Sequence, residues 1–190
     1  MHSSTTVADD LRSSLEGQKF GCVLADLPWR LREGAEASHR PALGLDEICA
    51  LPVAELMEDR AHCYLWVPNA LLPEGMQVLD AWGFKYTSNI VWQKAAPDGG
   101  LGAPGEGDVF GDVTALLLFG TRGKNVRTLA PARSQVNFIP PGNASVQGGL
   151  AQMPKPDEQY GIIERCSWGP FLELFGHGAR EGWTVWDGRA

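Results

Sequence analysis

From Phe20 onward the chain alternates short apolar runs with stretches whose apolar residues recur at helical spacing. Ahead of it, residues 1–18 are polar, rich in Ser and Thr and without a sustained apolar period, which predicts a loosely held tail before a domain over 19–190. Phe20 to Ala25 is an apolar run that stops at Asp26 and Pro28, the pattern of a buried strand delivering a carboxylate at its carboxyl end. Leu45 to Glu58 predicts a helical region capped by Asp46 and divided by Pro52. Cys63 to Val67 predicts a second buried strand. Asn69 is placed to cap a helix carrying Leu72, Met76, Leu79 and Trp82 on one face, with Gly83 as its stop. Further strands are expected at Lys85 to Gln93, Val113 to Phe119 and Val136 to Ile139. A helix with Pro156 in its first turn and Tyr160, Ile162 and Ile163 on its apolar side runs to about Cys166. Strands at Phe171 to Phe175 and Trp183 to Trp186 end the chain.

Strands alternating with helices imply an α/β fold with helices on both faces of a sheet. Two segments stand outside the alternation. Ala95 to Asp112 holds six glycines and two prolines with no apolar period, and Pro140 to Pro154 is a second irregular loop. Long irregular segments in a compact domain are more often functional than accidental.

Composition narrows the class. With 190 residues the chain accommodates one domain with a sizeable core. Its longest apolar runs are far too short to span a bilayer, and no charged-then-apolar leader opens it, so a soluble, cytoplasmic protein is expected. Cys22, Cys49, Cys63 and Cys166 form no close pair, which points to neither a disulfide framework nor a metal site. The formal net charge of −7 argues against broad adhesion to a phosphate backbone. Arg122, Lys124, Arg127 and Arg133 do fall close together, as a basic patch or as an ordinary solvated loop.

The residues Asp26-Leu27-Pro28-Trp29 combine a carboxylate, a stiffened backbone and an aromatic plate. An adenine amino group has two hydrogens to donate; a carboxylate oxygen and a main-chain carbonyl can accept both while an indole stacks on the ring. On residue types alone the same four positions also describe a strand ending in a turn with a buried Trp.

The quartet resembles the Asp-Pro-Pro-Trp signature of the MT-A70-like family of adenine-N6 methyltransferases. The likeness runs from about Phe20 to Gly188. It includes Tyr64-Leu65-Trp66-Val67, Ala81-Trp82-Gly83-Phe84 leading to Ile90-Val91-Trp92-Gln93-Lys94, Leu117-Leu118-Phe119-Gly120, Lys155-Pro156-Asp157-Glu158, and Phe171-Leu172-Glu173-Leu174-Phe175. The short form of the chain is similar to the bacterial and phage DNA-modifying branch. The resemblance implies a Rossmann-like S-adenosylmethionine-dependent methyltransferase fold with a mostly parallel sheet of about seven strands. It implies a catalytic quartet of Asp26, Leu27, Pro28 and Trp29, and S-adenosylmethionine held by Lys155, Glu173, Phe175, His177, Arg180 and Asp187. Lys155 would lie near the methionine end and Glu173 would accept the ribose hydroxyls; His177 also reads as a solvated loop imidazole.

The sequence departs from the family at Leu27, which replaces the first proline, and near Asp108, Val109 and Gly111. It departs again at Ala151-Gln152-Met153-Pro154 and at Asp187-Gly188-Arg189. The implied reaction is methyl transfer to the exocyclic amino group of adenine in DNA, with a partner subunit or a homodimer as the working form. The alternatives are a non-catalytic partner subunit of the same fold, or methylation of adenine in RNA or in a small molecule.

Overall fold

Among the described residues seven strands form one sheet in the order β5-β3-β4-β2-β1-β6-β7. The computed structural model describes residues 6–30, 42–94, 110, 112–130, 135–140 and 155–188. The strands are β1 (Phe20–Ala25), β2 (Met57–Val67), β3 (Lys85–Gln93), β4 (Thr114–Arg122), β5 (Phe138–Ile139), β6 (Phe171–Leu174) and β7 (Trp183–Trp186). All point the same way except β4, which pairs antiparallel with both β2 and β3. The inner strand β1 is buried at every position because both sheet faces are covered, which is why it reads as an unbroken apolar run.

Helices α1 (Val7–Ser14), α2 (Leu45–Cys49), α3 (Val53–Leu56) and α4 (Leu72–Ala81) cover one face, packing Leu11, Ile48, Val53 and Val78 with Val23, Leu65 and Leu172. Helix α5 (Glu158–Cys166) covers the other, with Ile162 and Ile163 against Leu24, Trp66 and Leu117. This is the three-layer α/β arrangement that the alternation of elements predicts, and the Rossmann-like fold that the resemblance implies. Among the described residues no helix is long and apolar enough to cross a membrane.

Several local expectations are corrected. Residues 7–14, read as part of a loose tail, form α1, with Leu11 fully buried and Thr6 capping through its side chain to the Asp9 amide. The strand β2 begins at Met57, so Glu58 is not helical. Gly44 rather than Asp46 precedes α2, its amide donating to the Glu47 carboxylate at 2.8 Å. Asn69 does not cap α4: a 3₁₀ turn, Asn69–Leu71, intervenes, and the Asn69 amide donates instead to Thr114 Oγ1 at 3.0 Å and Asp112 Oδ1 at 3.1 Å. The buried face of α4 is Gly75, Val78 and Leu79, with Leu72 and Met76 exposed. Gly75 explains this rotation, since a Cβ there would stand 2.7 Å from Val67 Cγ2 and hold the helix off β2. Residues 95–109, 131–134 and 141–154, which contain most of both irregular loops and Arg133, lie outside the described residues.

Candidate active site

Because the strands other than β4 run one way, their carboxyl ends make a single rim. Asp26 follows β1, Lys94 follows β3, Phe175 follows β6 and Asp187 follows β7, while β4 enters from Asp112. From β1 the sheet grows towards β2 on one side and towards β6 on the other. Such a reversal of strand order is where open α/β sheets leave a ligand crevice. Asp26 and Phe175 flank it, tied by the Asp26 amide donating to the Leu174 carbonyl at 3.3 Å.

The quartet is held by its own backbone. The Leu27 carbonyl accepts from the Trp29 amide at 2.9 Å, and the Pro28 carbonyl accepts from the Leu43 amide at 2.8 Å. A carbonyl oxygen has a second lone pair, so Leu27 retains acceptor capacity. The Trp29 indole is fixed at the end of β2 by donation from Nε1 to the Trp66 carbonyl at 3.1 Å. The Leu27 side chain is buried in the core beside Leu43. Asp26 projects the other way and pairs with Lys155, Nζ to Oδ1 3.0 Å, the two side chains 32% and 23% exposed. The same ammonium lies 5.5 Å from the centre of the Trp66 ring, close enough for a cation–π attraction.

A second group lies on the same sheet face. Glu173, in β6, is a buried carboxylate whose Oε1 accepts from the Tyr160 hydroxyl of α5 at 2.9 Å. Burial and the Glu173 carboxylate push the Tyr160 hydroxyl up to about 12, so it stays a donor at neutral pH. Arg180 stacks over the Tyr160 ring at 3.4 Å and pairs with Asp157 at 3.0 Å, which clamps the β6–β7 loop onto the start of α5. Gly176 is required there, because a Cβ would stand 2.8 Å from Glu173 Cδ.

Phe175 takes a left-handed conformation, φ 62°, at a cost of about 1–2 kcal/mol for a non-glycine residue. Its ring is locked edge-on against Trp186, 5.0 Å between centres, and the Cβ that Gly188 lacks would meet it at 2.5 Å. His177 is exposed in the loop after β6 and Asp187 is half-buried after β7. All ten sequence-predicted positions therefore lie at or beside one rim. A cavity of about 270 Å³ lined by Tyr64, Asn89, Phe119 and Ile162 lies mid-sheet and includes none of them.

Residues that sequence reasoning left unassigned also reach the rim. Tyr160, expected on an apolar helix face, holds Glu173, and Asp157, present in the sequence only as part of the Lys-Pro-Asp-Glu motif, holds Arg180. Lys94 is half-buried, its pKa lowered by desolvation, raised in part by Asp112 and lowered further by Lys155. The Lys-Pro-Asp-Glu motif was the one signal that could have pointed to Asp157.

The sequence profile of the MT-A70 family matches residues 20–189. The chain is 28% identical over 171 residues to the N(6)-adenosine-methyltransferase catalytic subunit METTL3 of Homo sapiens, covering 88% of this chain and 27% of that one. It is 29% identical over 171 residues to an N(6)-adenosine-methyltransferase MT-A70-like protein of Drosophila melanogaster, covering 88% and 26%. Over 94 residues it is 30% identical to the N6-adenosine-methyltransferase non-catalytic subunit MTB of Arabidopsis thaliana, covering 45% and 12%. The chain thus spans about a quarter of the length of these two adenosine-methyltransferase relatives.

Proposed function

The chain belongs to the MT-A70 family, and on that premise we propose that it is an S-adenosylmethionine-dependent methyltransferase acting on the N6 amino group of adenine in RNA. The observation that carries this reading is the Asp26–Lys155 pair at the β1–β6 crevice, which sets a base acceptor beside a cation suited to an amino-acid carboxylate. The donor set fits the cofactor. Lys155 offers an ammonium for its carboxylate, and Glu173 offers a buried acceptor for its ribose hydroxyls. When bound, it supplies a methyl group already activated by a sulfonium, so the chemistry calls for no metal or covalent enzyme intermediate.

The chain's own residues then have three tasks. Asp26 and the Leu27 carbonyl accept the two amino hydrogens, which turns the nitrogen lone pair outward. Trp29, immobilised by its bond to the Trp66 carbonyl, stacks on the base. The Asp26 carboxylate is placed to take up the proton released from the nitrogen as it is methylated. Phe175, His177, Arg180 and Asp187 line the cofactor side of the rim.

RNA stands ahead of the DNA that the short chain suggested, because the relatives are named for adenosine. The likeness to a non-catalytic subunit supports a partner subunit that completes the substrate path. The test is radiolabelled methyl transfer to RNA, DNA and adenosine in parallel, with the product identified by mass spectrometry. N6-methyladenosine from RNA is expected. Transfer to DNA alone would reverse the substrate order, and no transfer to any of them, with no binding of cofactor, would leave a non-catalytic subunit.

A further inference from the structure

In the reading above, on which this inference rests, Asp26 serves the base and Lys155 the cofactor. The structure nonetheless joins them directly, at 3.0 Å, with both side chains mostly withdrawn from water. A partly buried pair is screened far less than one on the surface, so neither charge can be redirected without the other responding. Lys155 brings three donors on one flexible stem, but a single positive charge.

We infer that Lys155 is a shared ammonium for which Asp26 and the cofactor's carboxylate compete, so that the two halves of the site are energetically coupled. In the ligand-free protein the ammonium belongs to Asp26 and blunts it as an acceptor. Arrival of a carboxylate draws the ammonium towards the cofactor side and releases Asp26 for the amino hydrogens of the base. The consequence is an order of binding, cofactor before base. Asp26 and the cofactor therefore do not bind independently, although they occupy different halves of the site.

The test is a double-mutant cycle on the full chain, read by calorimetric titration with S-adenosylhomocysteine, whose neutral sulfur leaves the amino-acid end as its only charged part. Asp26→Asn keeps the shape and removes the competing charge, and should tighten binding by about three- to tenfold. Lys155→Met should weaken it by about tenfold or more. In the Lys155→Met background Asp26→Asn should change nothing. Thermal melts establish that each variant is folded, and Lys155→Arg, which keeps the charge, should preserve the response to Asp26→Asn. An unchanged or weakened affinity in Asp26→Asn, or an equal gain with and without Lys155, overturns the shared ammonium while leaving the cofactor assignment standing. No heat from folded wild type at millimolar ligand overturns both.

Discussion

Glu173 is 7% exposed, and a carboxylate so placed is held by the groups around it or by a ligand. Tyr160 supplies one donor, and the ribose hydroxyls would supply more. Glu173→Ala is accordingly expected to weaken S-adenosylhomocysteine binding by about 1–3 kcal/mol, measured by calorimetry. Affinity equal to wild type would remove Glu173 from the cofactor site. Its position was legible because a lone carboxylate interrupts the apolar run Phe171 to Phe175. Asp26 was legible for a similar reason, standing where a buried strand stops. The Asp26–Lys155 pair was not, since no local pattern links two residues so far apart in the chain. Leu27 was legible only as a departure from a proline. In the fold its side chain is a core residue packed with Leu43, so the substitution keeps the carbonyl at the rim and adds apolar volume beneath it.

Helix α5, with dense periodicity, was legible and α1, with a sparse one, was not. Helix α5 carries buried Ile162, Ile163 and Cys166 at helical spacing, whereas α1 has Val7, Leu11 and Leu15 separated by charge and serine. That single narrow stripe gave no sustained period, yet it suffices because the sheet edge meets it: Leu11 is buried and the Trp186 indole donates to Asp10 Oδ2 at 2.8 Å. The junction of β2 with the end of α5 was also hidden, being built from polar residues in apolar surroundings. There His62 Nδ1 lies 2.8 Å from Ser167 Oγ, which is 3.0 Å from the Tyr64 hydroxyl, while the ring packs against Phe119 and Trp168. Among the described residues its Nε2 is buried without a hydrogen-bond partner. Desolvation, reinforced by the charge of Arg60, lowers the His62 pKa to about 4, from 6.5. The unfolded chain thus binds a proton that the native chain refuses between these values. Stability is full above pH 6.5 and is lost as pH falls through 4, by about 3 kcal/mol for this residue. Urea unfolding of wild type and His62→Gln at pH 7 and pH 4 checks this, the expected outcome being a smaller acid loss in the variant. Identical losses would show that other groups dominate.

At the scale of the whole sheet, the described part of the basic cluster and the candidate site occupy opposite edges. The candidate site lies where the parallel strands end; Arg122, Lys124 and Arg127 lie where they begin. Arg122 pairs with Ala61 near the start of β2, whereas Leu116 pairs with Val67 at its end, a separation of about 20 Å at about 3.3 Å per residue. Arg122 is also engaged, donating to the Ala54 carbonyl at 2.7 Å. Proximity in sequence grouped Arg122, Lys124 and Arg127 with Arg133 as a basic patch or a solvated loop; β4 runs against its neighbours and carries the first three to the far edge. At the rim itself Lys155 and Arg180 already have carboxylate partners. With a formal net charge of −7, the chain has few cations to displace counterions, so its RNA binding should be weak and its salt dependence shallow. The decisive variant is Lys124→Ala combined with Arg127→Ala, compared with wild type by fluorescence anisotropy on a single-stranded, adenine-containing RNA over a range of salt. If the RNA crosses only the rim, the slope of log affinity against log salt should be unchanged. Were both residues phosphate contacts, the slope should fall by about 1.4, at about 0.7 per phosphate neutralised. A fall of that size would place the RNA path along the amino edge and require the substrate to reach around the sheet to Asp26.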